Sequence, residues 1–232
     1  MPARFHSRAE ADDGLERQVS LPVTGASLEG TLGVPADARG VVLFAHGSGS
    51  SRFSPRNRYV ARVLRDAGLA TLLVDLLSPG EEKIDLVTRQ LRFDIGLLAD
   101  RLVDGLDWLR HGPATGSLRV GLFGASTGGG AALVAAARRP KAVGAVVSRG
   151  GRPDLAGEAL PRVRAPTLLI VGGDDDVVIE LNRHAMRHMR AEVQLEIVPG
   201  ASHLFEEPGT LEQVAALARD WFRRHLAPLG ET

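Results

Sequence analysis

The chain has 232 residues, of which 44% are hydrophobic and 24% are charged. This composition suits one α/β domain with a substantial core and excludes a predominantly disordered chain. The 28 basic and 28 acidic residues cancel, so no net field would attract nucleic acid or an anionic membrane. The absence of cysteine excludes disulfides, thiolate catalysis and cysteine-ligated zinc, and it is compatible with a reducing compartment.

The amino-terminal segment does not resemble a targeting signal. Residues 1–16 are polar and of mixed charge, whereas a secretory signal peptide needs an apolar core. No apolar run approaches the length that crosses a bilayer. We therefore expect residues 1–16 to form a loose polar arm and residues 17–232 to form a single domain. The expected location is cytoplasmic, with neither a membrane nor a nucleic-acid partner.

Strand-like and helical patterns alternate along the rest of the chain. Residues 76–89 are interpreted as a polar loop, and residues 149–166 as a short, proline-rich crossover, which together leave room for only a minimal lid. The alternation predicts an α/β fold with a doubly wound, mostly parallel sheet and helices on both faces. Strands are predicted at 17–23 and 26–34 as a hairpin, then at 40–45, 69–75, 120–123, 142–148, 167–171 and 193–198. Helices are predicted at 55–67, 91–110, 127–139, 179–190 and 210–226.

The sequence Gly124-Ala125-Ser126-Thr127-Gly128 lies between a predicted strand and a predicted helix. This is the G-x-S-x-G pattern of a nucleophile elbow in the context that the pattern requires. Glycine on both sides of the serine avoids collisions in a sharp turn, and the serine hydroxyl then lies at a helix amino terminus. Ser126 is therefore the candidate nucleophile.

A serine nucleophile needs a base, and the base needs a carboxylate to orient it. His203 lies in a loop after the last predicted strand, where the base is expected in the chain order nucleophile, acid, base. Asp174, Asp175 and Asp176 follow the preceding strand and reach the same edge of the sheet. The residues alone leave the choice of acid open, because aspartate is also a preferred helix cap.

An oxyanion hole of this type takes one backbone N–H from the residue after the nucleophile and one from a loop after an early strand. The first residue is Thr127. The second is Ser48, in the sequence His46-Gly47-Ser48-Gly49. His46 itself is interpreted as structural, since its place before the glycine turn suits shaping the loop.

These motifs resemble the α/β-hydrolases, specifically the small serine-type members of the dienelactone hydrolase-like family, over most of residues 17–227. In that family the acid lies two residues after the second glycine of a Gly-Gly pair, which implies Asp175. The family's name-giving enzymes carry cysteine at the nucleophile position. Because Ser126 stands at that position, we expect a general ester hydrolase rather than an enzyme that turns over dienelactone.

The sequence thus predicts a serine hydrolase that cleaves small esters or lactones with Ser126, Asp175 and His203, without a cofactor or metal. Alternatives on the same triad are an acyltransferase and a dienelactone hydrolase-type lactonase. A non-catalytic binding protein on a hydrolase scaffold is a third possibility. We further predict a shallow pocket that prefers short acyl groups. Its expected substrate-binding residues are Arg52, Phe53, Arg149 and Phe205, with Arg149 placed to pair with a substrate carboxylate.

Overall fold

The computed structural model describes residues 16–227; residues 1–15 and 228–232 lie outside this description. The predicted arm at residues 1–16 therefore falls outside it, except that Glu16 is the first residue of strand β1. An eight-stranded sheet has the strand order β1-β2-β4-β3-β5-β6-β7-β8. The strands are β1 (Glu16–Val23), β2 (Ala26–Gly33), β3 (Val41–Ala45), β4 (Ala70–Val74), β5 (Val120–Ala125), β6 (Val143–Arg149), β7 (Thr167–Gly172) and β8 (Val193–Val198).

The first two strands form the predicted antiparallel hairpin, and β2 also pairs antiparallel with β4. All other pairs in the sheet are parallel. Parallel neighbours need long crossovers, and helices supply most of them. The predicted doubly wound, mostly parallel sheet is confirmed.

Helices cover both faces of the sheet. Val42 and Phe44 of β3 belong to a buried cluster with helices α1 (Pro55–Asp66) and α6 (Thr210–Leu226). Leu43 and Ala45 belong to a second cluster with α3 (Ile95–His111) and α4 (Thr127–Arg138). Because alternate residues of a strand point to opposite faces, a strand buried on both faces has a continuous apolar run. The other α-helices of the described part are α2 (Pro79–Thr88) and α5 (Asp176–Met186).

Helix α2 corrects the prediction of a polar loop over residues 76–89. The Ser78 hydroxyl accepts a hydrogen bond from the Glu81 N–H, and the Glu81 carboxylate accepts one from the Ser78 N–H. This reciprocal capping box, with Pro79 in the first turn, starts the helix. The prediction was wrong because proline, glycine and charged residues are common both in turns and at helix amino termini.

Two other helices begin at different residues than predicted. The Asp94 carboxylate accepts a hydrogen bond from the Leu97 N–H and so caps α3, which begins at Ile95. Residues 91–93 form a separate 3-10 turn, and Phe93 stays 57% exposed. Helix α5 covers Asp176–Met186 rather than 179–190, because the aspartates lead directly into its first turn. A further 3-10 segment, Pro153–Arg162, forms the short crossover and is broken at Gly157.

Exposed apolar side chains concentrate at one pole of the molecule. We call the end of the sheet where the parallel strands finish the carboxyl pole. Ile197 lies on strand β8, and the other large exposed apolar side chains of the described residues follow carboxyl ends of parallel strands: Phe53, Ile84, Leu86, Val87, Phe93, Leu155, Val177 and Leu204. Among residues 16–227, we find no helix with the combination of length and apolarity needed to cross a membrane.

Candidate active site

Ser126 makes the turn between β5 and α4 by itself, since β5 ends at Ala125 and α4 begins at Thr127. Its φ of 50° and ψ of −122° fall in a region that residues with a side chain rarely adopt. A Cβ at Gly124 would lie 2.5 Å from the Gly128 carbonyl oxygen, and a Cβ at Gly128 would lie 2.3 Å from that of Ala45. Glycine at both positions therefore permits the close approach of β5, α4 and β3 that a nucleophile elbow requires.

His203 and Asp175 come together from two loops at the carboxyl pole. His203 Nδ1 lies 2.6 Å from Asp175 Oδ2. A carboxylate can only accept, so we assign the proton to Nδ1, which leaves Nε2 with a free lone pair. Asp174 and Asp176 are exposed, and Asp176 lies in the first turn of α5, where a negative charge favours the helix. Of the three aspartates, Asp175 is the one whose carboxylate contacts the imidazole of His203.

Ser126 and His203 both adjoin the short segment Arg149-Gly150 at the end of β6. The Ser126 N–H donates to the Arg149 carbonyl oxygen over 3.2 Å. The next residue, Gly150, has a φ of 51°, and a Cβ there would lie 3.1 Å from the His203 carbonyl oxygen and 3.5 Å from its Cε1. Glycine at this position lets the imidazole loop pack closely beside the elbow.

The loop between β3 and α1 packs against the elbow from the other side. A Cβ at Gly47 would lie 3.1 Å from Ser126 Cβ. The Ser48 N–H donates to Thr127 Oγ1 over 3.0 Å. The structure therefore brings together the two residues predicted for the oxyanion hole, but the Ser48 N–H is directed at the Thr127 hydroxyl. Thr127 is the first residue of α4, where backbone N–H groups have no partner within the helix.

His46 connects this loop to the end of β4. The Leu76 N–H donates to His46 Nε2 over 3.1 Å, and Nδ1 lies 2.9 Å from the Gly47 carbonyl oxygen, so Nδ1 carries the proton. Burial lowers the pKa of His46, although the Gly47 hydrogen bond and the charges of Asp75 and Glu82 act in the opposite direction. A neutral imidazole joins the two strand ends, which agrees with the structural role expected for His46.

A cavity of about 200 Å³ opens beside Thr127. Its walls are the loop at residues 46–51, the residues just after β4, and the face of α2 that carries Glu82, Asp85 and Leu86. Leu98 of α3 adds an apolar wall. The cavity thus combines hydroxyl and charged groups with apolar side chains, and α2 forms one of its walls.

Ion pairs hold α2 at both ends. Near its start, the Glu81 carboxylate accepts a hydrogen bond of 2.6 Å from Arg101, a guanidinium that also donates to the Thr24 carbonyl oxygen. Near its end, the backbone N–H and the guanidinium of Arg92 donate to Asp85, which is 2% exposed. Burial alone would raise the pKa of Asp85, but the hydrogen bonds from Arg92 outweigh it and hold the pKa below its usual value.

Arg52 and Phe53, predicted to bind substrate, lie at the edge of the site. The Arg52 side chain and backbone N–H both donate to the Asp75 carboxylate, so its charge is already paired. Phe53 is 55% exposed, and the Arg52 guanidinium lies 4.3 Å from the centre of its ring. Neither side chain lines the cavity. The pairing with Asp75 argues against Arg52 as a substrate cation.

Arg149 and Phe205 are both buried, Arg149 at the end of β6 and Phe205 in the loop that carries His203. Phe205 is 2% exposed with a φ of 57°, and its ring centre lies 5.8 Å from the Arg149 guanidinium carbon. Burial lowers the pKa of Arg149 to about 10, and the charge of Arg56 contributes to this shift. Neither side chain lines the cavity. The burial of Phe205 argues against its predicted role as a pocket wall.

Metal ligands do not cluster in the part of the chain described here: no group of three His, Cys, Asp or Glu side chains is close enough to hold an ion. On α5, Glu180 pairs with Arg183, and His184 lies within hydrogen-bonding distance of Arg187. These contacts account for the charged face of that helix.

Sequence reasoning missed two features of the site. The Ser78-Pro79-Gly80-Glu81 capping box was a readable signal for α2, and with it for one wall of the cavity. The contact between Ser48 and Thr127 joins residues 79 positions apart and has no local signal. Such a contact becomes visible only when the two loops are placed in space.

The parallel sheet with a strand, a strained serine and a helix in succession defines an α/β-hydrolase fold. A sequence model of the dienelactone hydrolase family matches residues 28–231. The chain belongs to the dienelactone hydrolase family.

Similar structures support this placement. The crystal structure of a dienelactone hydrolase from Anabaena variabilis is 65% identical with a TM-score of 0.90, covering 91% of this chain and 98% of that one. Est1E from Butyrivibrio proteoclasticus is 15% identical with a TM-score of 0.75, covering 90% of this chain and 98% of its own. At that low identity, Est1E shows the fold alone.

Curated relatives are longer than this chain. A protein of Mycobacterium tuberculosis strain H37Rv, named "Putative phosphoribosyl transferase", is 60% identical over 223 residues. The match covers 96% of this chain and 49% of that protein. The chain therefore spans about half the length of the curated relatives it matches.

Proposed function

We propose that this protein is a serine hydrolase that cleaves small carboxylic esters or lactones through an acyl-enzyme on Ser126. The observation that carries the proposal is the His203–Asp175 pair, with Nδ1 and Oδ2 2.6 Å apart, beside a serine in the strained elbow conformation. Serine hydrolases use such an imidazole, held by a carboxylate at Nδ1 and free at Nε2, to take the proton of the serine hydroxyl. The Arg149 carbonyl oxygen accepts from the Ser126 N–H, and the adjacent Gly150 packs against His203, which supports the same pairing here. Membership of a hydrolase family supports the same reaction class.

In the proposed reaction, Ser126 Oγ attacks the carbonyl carbon of the ester while its proton passes to His203 Nε2. Asp175 holds the imidazole in the required tautomer and stabilises its charged form. The tetrahedral intermediate collapses when the leaving alkoxide takes the proton from His203, which leaves the acyl group on Ser126. Water then attacks the acyl carbonyl carbon while its proton passes to His203. The second intermediate expels Ser126 Oγ, which takes that proton back as the carboxylic acid is released.

The carbonyl oxygen becomes negatively charged in each tetrahedral intermediate and needs hydrogen-bond donors. The Thr127 N–H is one candidate, because it heads α4, where the helix dipole also favours negative charge. Removal of one such donor typically costs about 10²- to 10³-fold in kcat.

The cavity suggests what the substrate looks like. Its volume of about 200 Å³ suits a short acyl or alkyl group rather than a long chain. Arg149 remains the candidate partner for a substrate carboxylate, because its buried Nε has no hydrogen-bond partner among residues 16–227. Phe53 is exposed at the carboxyl pole and could contact the part of a substrate outside the cavity.

The phosphoribosyl transferase name belongs to proteins about twice as long as this chain. The dienelactone hydrolase family model accounts for residues 28–231, which is nearly all of the segment shared with those proteins. We therefore propose ester hydrolysis for the present chain, with a small-molecule substrate and no cofactor.

A fluorophosphonate probe tests the proposal, since it labels only an activated serine. We expect the wild type to be labelled and to hydrolyse short-chain chromogenic esters. Ser126→Ala should lose the label, and Ser126→Ala and His203→Ala should each lose several orders of magnitude in kcat. Mass spectrometry of the labelled peptide checks the site.

Persistent labelling of Ser126→Ala would refute the assignment of the nucleophile. A folded wild type that neither reacts with the probe nor cleaves any ester of the panel would support a non-catalytic scaffold instead. Formation of transesterified products with added alcohols, at rates exceeding hydrolysis, would identify the acyltransferase alternative.

A further inference from the structure

The hydroxyl of Thr127 has an unusual set of partners. The hydroxyl oxygen accepts a hydrogen bond of 3.0 Å from the Ser48 N–H, and Thr127 is only 4% exposed. No acceptor in residues 16–227 takes the proton of this hydroxyl. A hydroxyl has one proton to donate, and a buried donor without an acceptor is costly. Thr127 lines the cavity and directly follows the candidate nucleophile in the chain. An acceptor that a substrate brings to this end of the cavity would satisfy the donor.

The same hydrogen bond changes the expected oxyanion hole. A backbone N–H has a single proton, and that of Ser48 is directed at Thr127 Oγ1 rather than at the cavity. The sequence pattern predicts the amide of Ser48 as the second donor, whereas in the structure this amide is already hydrogen-bonded to the Thr127 hydroxyl.

We propose that the Thr127 hydroxyl donates the second hydrogen bond to the oxyanion, while the Ser48 N–H orients and polarises that hydroxyl. The inference rests on the proposed serine hydrolase function. Thr127 would then contribute two donors, its backbone N–H and its side chain, and would be a catalytic residue in its own right.

The chemistry of this step involves no proton transfer to or from Thr127. When Ser126 Oγ bonds to the carbonyl carbon, the π electron pair of the C=O bond moves onto the oxygen. The Thr127 O–H then donates a hydrogen bond to that oxygen and keeps its proton. Because Thr127 Oγ1 already accepts from Ser48, cooperative polarisation makes its O–H a stronger donor.

The opposite role is also testable. If the Thr127 hydroxyl only blocked the Ser48 N–H in the free enzyme, its removal would release that amide for the oxyanion. Activity would then stay the same or rise. The donor role and the blocking role therefore predict opposite signs for a variant that lacks the hydroxyl.

Thr127→Val tests the proposal, because valine keeps the branched shape and removes only the hydroxyl. We expect kcat on a short-chain ester to fall about 10²-fold with little change in KM, as for loss of one oxyanion donor. Thr127→Ser, which retains a hydroxyl, should recover most of this loss. Thr115→Val is the matched control: Thr115 is 2% exposed and donates to the Leu109 carbonyl oxygen away from the site, so its kcat should not change.

A pair of substrates separates catalysis from disrupted structure. In a thionoester, sulfur replaces the carbonyl oxygen and accepts hydrogen bonds poorly. We expect Thr127→Val to lower the ratio of oxoester to thionoester rates about tenfold, and Thr127→Ser to keep it near the wild-type value. Structural damage would lower both rates equally and leave the ratio unchanged.

Two results would overturn the proposal. The first is a Thr127→Val enzyme with wild-type or higher kcat, or with an unchanged rate ratio, in an otherwise active hydrolase labelled at Ser126. The second is a wild type without ester cleavage or labelling, which would also remove the proposed function. The labelling of Ser126 distinguishes the two failures.

Discussion

Asp175 shows how one backbone position decides the chemistry of a side chain. It lies in the turn that links β7 to α5, and its carboxylate reaches His203 Nδ1 over 2.6 Å. Asp174 and Asp176 have the same side chain one residue away, yet both are exposed. Neither of these two carboxylates has an imidazole to orient. The candidate acid is therefore set by the direction of a side chain and not by its type.

We predict that Asp175→Asn lowers kcat by up to about 10⁴-fold, because an amide can donate to Nδ1 and so favours the wrong imidazole tautomer. Asp174→Asn and Asp176→Asn serve as matched controls with the same chemical change, and each should retain kcat within a few fold. Steady-state kinetics on a chromogenic ester, with circular dichroism to verify folding, measures the difference. An equal loss in a folded Asp174→Asn or Asp176→Asn variant would assign the acid to that residue.

At the residue scale, the sequence was enough to choose Ser126 as candidate nucleophile and His203 as candidate base. The elbow motif is formed by consecutive residues, and the base is expected in the loop after the last strand. It did not allow the burial of Phe205 to be foreseen. A phenylalanine beside a candidate base fits a pocket wall and a core residue equally well. Phe205 is a core residue because it packs into the buried cluster that includes α1 and α6. The backbone strain at Phe205, with its φ of 57°, likewise has no signature in residue type.

Among the elements, α2 contributes a wall of the cavity that the sequence did not predict. It walls the cavity with Glu82, Asp85 and Leu86, while Ile84 and Val87 stay exposed to solvent. A ten-residue helix is marginal by itself in water, so it depends on its cap and on the contacts of its ends. The strands could be predicted because a short, continuous apolar run is typical of a strand buried on both faces. A short polar helix on the surface lacks such a pattern, and tertiary ion pairs stabilise it instead.

We expect Ser78→Ala to destabilise α2 by about 1 kcal/mol, the usual cost of losing an N-cap hydroxyl. Because α2 forms a wall of the cavity, KM for a short-chain ester should rise several fold while kcat changes less. Hydrogen exchange of the α2 amides and steady-state kinetics measure the two effects.

Asp94→Ala is the control for this prediction. It removes the cap of α3, a helix of 17 residues that packs along α4, so Leu98 at the cavity wall should not move. The control should lose stability without a change in KM. A similar rise of KM in both variants would mean that α2 has no special role in the cavity.

For the whole molecule, the half-buried His46 links pH to stability. Burial lowers the pKa of His46, so the native state holds it neutral where the unfolded chain, with a pKa near 6.5, binds a proton. The unfolded state then binds more protons as the pH falls below about 6.5, and the free energy of unfolding decreases. One such group contributes at most about 1.4 kcal/mol for each pH unit in this window.

Chemical denaturation at pH 7.5 and at pH 5.5 tests this link. We expect the wild type to lose stability between the two values and His46→Gln to lose less, since glutamine can accept from the Leu76 N–H without titrating. Burial also lowers the pKa of His225, so His225→Gln shows how much of the remaining dependence comes from that residue. Identical pH dependence in the wild type and His46→Gln would contradict the assignment.

The position of the cavity at the carboxyl pole also has a practical consequence for attaching the protein to a solid support. Lys83 and Lys141 are the two lysines of the sequence, and both are exposed. Lys83 lies on α2 at the carboxyl pole, whereas Lys141 lies just before β6, at the opposite end of the sheet. An amine-reactive resin that couples to Lys83 would turn the cavity and the exposed apolar side chains of the carboxyl pole toward the matrix. In a Lys83→Arg variant, Lys141 becomes the sole lysine handle, and coupling through it would leave the cavity facing the mobile phase.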